Sequence, residues 1–150
     1  MHVTAQTDYA VRAVVQIAAA EGATSRGEVA AAQQIPGKFL ESILLRLRHG
    51  GLLIAQRGTA GGYLLARPAD SITIADIIRV VDGPLAAVRS QPPEDADYPD
   101  PAAALRDVWV ALRSSMRQVL EATTVADVVT GRLPEDVQRL LERPGAWTRR

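Results

Sequence analysis

Two short stretches of this chain carry side chains whose types and spacing suit hydrogen bonding to a nucleic acid. In the first, Lys38, Glu41, Ser42, Leu45 and His49 fall on one side of a helix at about 100° per residue, opposite an apolar face centred between Leu44 and Leu47. Arg46 and Arg48 flank that outward row. In a major groove Lys reaches guanine acceptors, Glu accepts from the cytosine amino group and Ser tolerates several bases, while Leu45 suits a thymine methyl or a partner's surface. In the second stretch, Arg57 and Arg67 bracket Gly58, Gly61 and Gly62. A small hairpin poor in side chains, with Arg at its base, fits a minor groove, where the negative potential is strongest. Each stretch has a plainer reading: a solvated helix face, and a hairpin whose glycines serve only the turn. The two together are more specific than either.

Other chemistry is poorly supplied. The chain has no cysteine, which excludes disulfides, thiol catalysis, Cys-ligated zinc and Cys-ligated iron–sulfur clusters. His2 and His49 are its only histidines, and neither has a second ligand at helical spacing. Walker loops, nucleophile elbows and His-Glu-x-x-His pairs are missing from the sequence. Gly58 to Gly62 is no phosphate cradle, because no helix follows it. Glu94, Asp95, Asp97 and Asp100 are hard oxygen donors and read as solvated surface. The expectation is a protein that is not an enzyme and carries no cofactor and no metal.

The elements that must position these residues follow from periodicity and punctuation. Ala5 to Glu21 reads as an amphipathic helix on Ala10, Val14, Ile17 and Ala18, closed by Gly22. Ser25-Arg26-Gly27-Glu28 is a capping box that opens a short helix to about Gln33. Pro36 disfavours helical geometry at Ile35, so the chain breaks there before a second helix from Lys38 to His49, ended by Gly50-Gly51. A short helix, a tight turn and a second helix form a helix-turn-helix. Leu53–Arg57 and Tyr63–Arg67 read as strands of a hairpin. Thr73-Ile74-Ala75-Asp76 opens another short helix that stops at Gly83-Pro84. Residues 85–100, with Pro92, Pro93 and Pro99, form an acidic loop. Asp100-Pro101 then opens a long helix running to about Thr123, with Asp as N-cap and Pro in its first position. Val125–Thr130 and Pro134–Glu142 are short helical pieces, and Trp147–Arg150 is a frayed tail.

The fold class expected is therefore mainly α with a small β-hairpin, a winged helix-turn-helix plus a long helix. Its division is residues 1–84 for the winged domain, 85–100 for the acidic Pro-rich loop, and 101–150 for the long and short C-terminal helices. The long helix bears Leu105, Val108, Trp109, Leu112, Met116, Val119 and Leu120 at helical spacing. That stripe is too long for one small winged helix to cover, and an apolar remainder of this kind marks an interface. Formal net charge is zero, yet residues 1–67 hold seven basic against four acidic side chains. Sixteen of the 17 basic residues are Arg, which suits bidentate phosphate and base contacts, although an Ala- and Arg-rich composition also follows from a GC-rich genome. No apolar run approaches a membrane span, and Asp8 and Arg12 argue against a secretory signal, so a soluble cytoplasmic protein is expected.

The motifs resemble one family over about residues 1–85. They are Thr7-Asp8-Tyr9-Ala10-Val11-Arg12-Ala13, Ile35-Pro36 with Phe39-Leu40-Glu41, Leu47-Arg48 with Gly51-Leu52, Arg57-Gly58 with Gly61-Gly62-Tyr63-Leu64-Leu65-Ala66-Arg67-Pro68, and Ile74-Ala75-Asp76-Ile77-Ile78 with Asp82-Gly83-Pro84. The chain is similar to the Rrf-two family of bacterial transcriptional regulators, the family of IscR, NsrR and CymR. The resemblance implies a homodimer held by the long helix, set on a partly palindromic double-stranded DNA operator. It implies too that Glu41 and its neighbours read bases and that Arg57 of the wing reaches the minor groove. Lys38 and Ser42 depart from commoner members, so the operator sequence does not transfer.

Between Leu85 and Trp109 cluster-binding relatives carry three cysteines, and this chain carries none. Asp8 sits where some relatives supply a non-cysteine ligand, but alone it cannot hold a cluster. By the same analogy, an effector would bind around Asp8, Arg12 and Trp109. The expected DNA-contacting set is Arg26, Lys38, Phe39, Glu41, Ser42, Arg46, Arg48, Arg57, Gly58, Gly61, Gly62 and Arg67. The expected function is a dimeric, sequence-specific DNA-binding regulator, most readily a repressor. The alternative is a winged-helix module that binds protein instead of DNA.

Overall fold

Three reciprocal capping boxes set where short helices begin. The Ser25 and Thr73 hydroxyls accept from the third helical amides of α2 (Arg26–Gln33) and α4 (Ile74–Val81), and the Glu28 and Asp76 carboxylates return the bond. Thr124 and Asp127 do the same for α6 (Val125–Thr130). Each pairing satisfies amides that no helix can satisfy internally. The computed structural model describes residues 2–149. The remaining helices are α1 (Ala5–Ala19), α3 (Gly37–His49), α5 (Leu105–Leu120) and α7 (Glu135–Leu141), with one antiparallel hairpin of β1 (Leu53–Gln56) and β2 (Gly62–Leu65).

Helix α1 is the spine of the molecule. Its buried face, Ala10, Ala13, Val14 and Ile17, meets α2, α3, α4, α6 and β2. The small alanines let neighbouring backbones approach. Helix α3 contributes Leu40, Ile43, Leu44 and Leu47 to the same core, all essentially inaccessible. The hairpin register pairs Leu53 with Leu65 and ends at Gln56 opposite Gly62. A third, one-residue strand joins it: the Thr24 and Tyr63 backbones exchange hydrogen bonds of 3.0 and 2.9 Å. That bridge fastens the hairpin to the start of α2.

The structure moves several boundaries. Helix α1 ends at Ala19 with an extended Ala20, not at Glu21 with Gly22 as cap, because the chain leaves early to carry Thr24 to Tyr63. Each strand is shorter than expected, so Arg57 lies in the turn beside Gly58 and not at the hairpin base. Helix α5 starts at Leu105, four residues beyond the expected Asp100-Pro101 signal. Its N-cap, Ala104, offers no side-chain bond, and the preceding amides of Ala102 and Leu105 are used in turns onto Pro99 and Ala102. Of the expected frayed tail, Trp147 is 80% exposed but ties its indole Nε1–H to the Leu141 carbonyl at 3.0 Å, and Arg150 lies outside the described residues.

Helix α6 returns to the first domain. The amides of Ile74 and Val125 bond to the carbonyls of Thr123 and Ile72 at 2.9 and 2.8 Å, and Val125 is completely buried with the α1 residues. Residues 123–130 thus pack against residues 1–84. Helix α5 differs from all of these: it has no buried residue, and it touches mainly α4 and a 3-10 turn at Pro93–Asp95.

Candidate nucleic-acid interface

The second helix of the helix-turn-helix is α3, and its sequence pattern splits it cleanly. Burial of Leu40, Ile43, Leu44 and Leu47 turns Lys38, Glu41, Ser42, Leu45 and His49 outward, all exposed. No side chain caps its N-terminus, where Pro36 precedes Gly37. Phe39 is 51% exposed, leans on Tyr9 of α1 with ring centroids 6.3 Å apart, and carries the Lys38 ammonium 5.7 Å above its face. The Ser42 hydroxyl donates to the Phe39 carbonyl at 3.0 Å and keeps its acceptor capacity free.

The cations sort into two groups. Arg26 pairs with Glu41 at 2.7 Å, Arg67 with Asp76 at 3.1 Å, and Arg46 donates to the Val81 carbonyl at 2.9 Å. Lys38, Arg48 and Arg57 have no carboxylate partner among the described residues. The first group bridges neighbouring elements. The second is available to an external anion.

The wing glycines have different reasons to be there. Gly58 takes φ +112°, which side-chain-bearing residues avoid. A Cβ on Gly62 would lie 2.5 Å from the Thr24 carbonyl oxygen, so Gly62 is what lets β2 lie against Thr24. A Cβ on Gly61 would meet the Gln56 carbonyl oxygen at the same distance. Arg57 is the exposed cation at the turn, whereas Arg67 braces the wing's base against the capping box of α4.

The expected grouping of Asp8, Arg12 and Trp109 does not form. Asp8 and Arg12 pair at 3.1 Å along α1, and Arg12 turns to the Gln33 carbonyl and side chain of α2. Trp109 instead donates its indole N–H to the Tyr98 hydroxyl at 3.0 Å. Together they line a cavity of about 400 Å³ with Leu85, Val88, Leu112 and Met116. A second cavity of about 420 Å³ lies between Val3, Ile78, Met116 and Leu120, with Asp82 at its rim bonded by Thr4 and Thr7. Periodicity could not find either cavity: the first arises where residues 85–98 fold back on α5, the second where α5 passes residues 2–7 and the end of α4.

On α5, Leu105, Val108 and Leu112 are 39, 53 and 40% exposed, and Trp109, Met116, Val119 and Leu120 are half-buried. Two carboxylates are held below their ordinary range. For Glu28 the causes are hydrogen bonds with the Ser25 hydroxyl and amide, and for Glu94 they are its own backbone amide and then Arg113.

Comparison with known proteins bears on this surface. The Rrf2 family model, described as "Iron-dependent Transcriptional regulator", matches residues 3–131. Rv1287 of Mycobacterium tuberculosis, provisionally named an HTH-type transcriptional regulator, is 51% identical over 144 residues, 95% of this chain and 89% of that protein. The HTH-type transcriptional regulator CymR of Bacillus subtilis is 32% identical over 87% of this chain and 91% of its own. Its solved structure superimposes with a TM-score of 0.75 at 30% identity, covering 87% and 98% of the two chains. IscR of T. potens gives 0.72 at 31% identity, covering 92% and 91%.

The iron in that family description does not fit the donors present. There is no cysteine, and among the described residues no three His, Asp or Glu side chains gather closely enough to hold a metal ion. Soft sulfur ligands dominate cluster sites, and this chain offers only oxygen and two distant imidazoles.

Proposed function

The chain belongs to the Rrf2 family of transcriptional regulators, and from that premise we propose how it meets DNA and what it does there. Helix α3 enters the major groove and presents Lys38, Glu41 and Ser42 to base edges, with Phe39 and Leu45 as apolar contacts. Arg57, at the wing tip beside Gly58, enters the adjacent minor groove, and Arg48 holds a phosphate. The observation that supports this most directly is the sorting of cations within residues 1–67: among the described residues there, Lys38, Arg48 and Arg57 are the ones with neither an ion pair nor a hydrogen bond to the protein, and all lie on α3 or the wing. A protein-binding module would favour an apolar face there instead.

Two copies pair through α5, an isologous contact that sets two reading helices about one DNA turn, ~34 Å, apart on a partly palindromic operator. The apolar residues exposed on α5 support that reading. The dimer acts as a repressor in the cytoplasm; among the described residues no helix is long and apolar enough to cross a membrane. An effector, if the regulator uses one, binds at Trp109 and the loop above it, and not at Asp8 and Arg12, which are engaged with each other and with Gln33. Selection from a randomised duplex pool, followed by footprinting of the selected sequence, tests the proposal. Enrichment of a sequence with two related half-sites is expected, and failure to enrich any sequence would return the face to the protein-binding alternative.

A further inference from the structure

Arg26 occupies the first position of α2, where a cation opposes the helix dipole and so does nothing for that helix. Its guanidinium crosses to α3 instead and donates from Nη1 to Oε2 of Glu41 at 2.7 Å. Both side chains are largely exposed, 51 and 72%, and an exposed pair of this kind contributes little to folding. The pair therefore calls for a reason outside stability.

The reason is on the reading face. Glu41 must bring a negative charge up to a polyanion, and a mobile carboxylate would be repelled and poorly aimed. Arg26 cancels that charge and occupies one carboxylate oxygen, leaving Oε1 to accept from outside. Resting on the DNA-reading assignment of Glu41 above, we propose that Arg26 is a positioning residue for sequence recognition: it holds Glu41 so that Oε1 can accept from a base amino group, and it is not itself a phosphate contact. The two helices of the motif thus share one reader, with α3 supplying the acceptor and α2 its orientation.

The probe is the sequence that wild-type protein enriches from a randomised duplex pool, together with all single-base-pair variants of it, measured by anisotropy across a salt series. Glu41→Ala identifies the base pair that Glu41 reads. Arg26→Ala should lower discrimination at that same pair by about tenfold, the value of one good base contact. It should leave the log–log salt slope as it was and change nothing further in a Glu41→Ala background. Arg26→Lys keeps the charge but not the fork, so it should lose part of the discrimination at unaltered slope. Thermal melts of each variant should coincide with wild type.

If Arg26→Ala weakens every sequence equally and flattens the slope by about one phosphate per subunit, Arg26 is a backbone contact and the inference is wrong. Effects that add independently to those of Glu41→Ala also overturn it. If Glu41→Ala itself alters no base preference, the underlying reading of α3 fails as well, which separates the two failures.

Discussion

Arg46 of α3 donates from Nη1 to the carbonyl of Val81, the last residue of α4, at 2.9 Å, and Gln6 of α1 donates to the same oxygen at 3.1 Å. One carbonyl near the end of a helix thus collects α1 and α3, immediately before the chain leaves for the α5 region. The orientation of the reading helix is thereby referred to the place where the peripheral segment begins.

Arg46→Ala removes a charged donor but leaves the carbonyl satisfied by Gln6, so it should cost only about 1 kcal/mol. Calorimetry should show that as a fall in Tm of roughly 2–4 °C. The salt slope of DNA binding should be unchanged. A flattened slope would mean that Arg46 leaves Val81 for a phosphate.

Lys38, Arg48 and Arg57, the cations of α3 and the wing with neither an ion pair nor a hydrogen bond among the described residues, give six in a dimer. At about −0.9 per phosphate the log–log salt slope should lie near −5. Arg57→Ala should make it shallower by about 2 and relax any A·T preference under the wing. Affinity that is indifferent to salt would contradict the groove assignment.

The wing's seat can be tested without touching a cation. Gly62→Ala places a methyl 2.5 Å from the Thr24 carbonyl oxygen, and the backbone must give. A loss of about 1–3 kcal/mol is expected. DNA affinity should fall with it, because the hairpin that carries Arg57 is displaced.

Leu112→Asp or Val108→Asp puts a carboxylate on the exposed stripe of α5. Sedimentation should show monomers, and operator binding should drop steeply. The core should melt almost normally, since Leu112 and Val108 lie outside its buried cluster. A wild-type chain that sediments as a monomer at micromolar concentration would end the pairing scheme.

Acid should weaken the fold through Glu28. Its folded pKa is depressed by the Ser25 hydroxyl and amide, so the unfolded chain binds its proton more readily. The contribution is complete above the ordinary carboxylate range and disappears as pH falls through the lower, folded value. Glu28→Gln keeps a capping partner without the charge, and its stability should vary less with pH over that window.

Much of this molecule was legible because its signals are local. Ser25 with Glu28 and Thr73 with Asp76 mark helix starts by side chains that act within one turn. The outward row on α3 follows from where its four buried aliphatics fall. What escaped depends on contacts distant in sequence. Nothing around Ala20 announces that Thr24 will pair with Tyr63, and nothing in Val125 distinguishes a core residue from a peripheral one. Asp100-Pro101 looks like a helix start, yet turns onto Pro99 and Ala102 use the amides first. The ion pair of Arg26 with Glu41 joins residues fifteen apart on two helices, and composition shows only that both are charged.

The return of α6 has a bearing on what this architecture tolerates. The chain departs from the core after Val81 and is recaptured at Thr123 and Val125, whose backbone bonds to Ile72 and Ile74 act as a second anchor. Everything between is an excursion with both feet on the same platform. None of the candidate contacts Lys38, Glu41, Ser42 and Arg57 lies within it. Yet any strain imposed on the arm arrives at two points that flank α4 at its beginning and end. Arm and core are thus mechanically joined at both ends of the excursion.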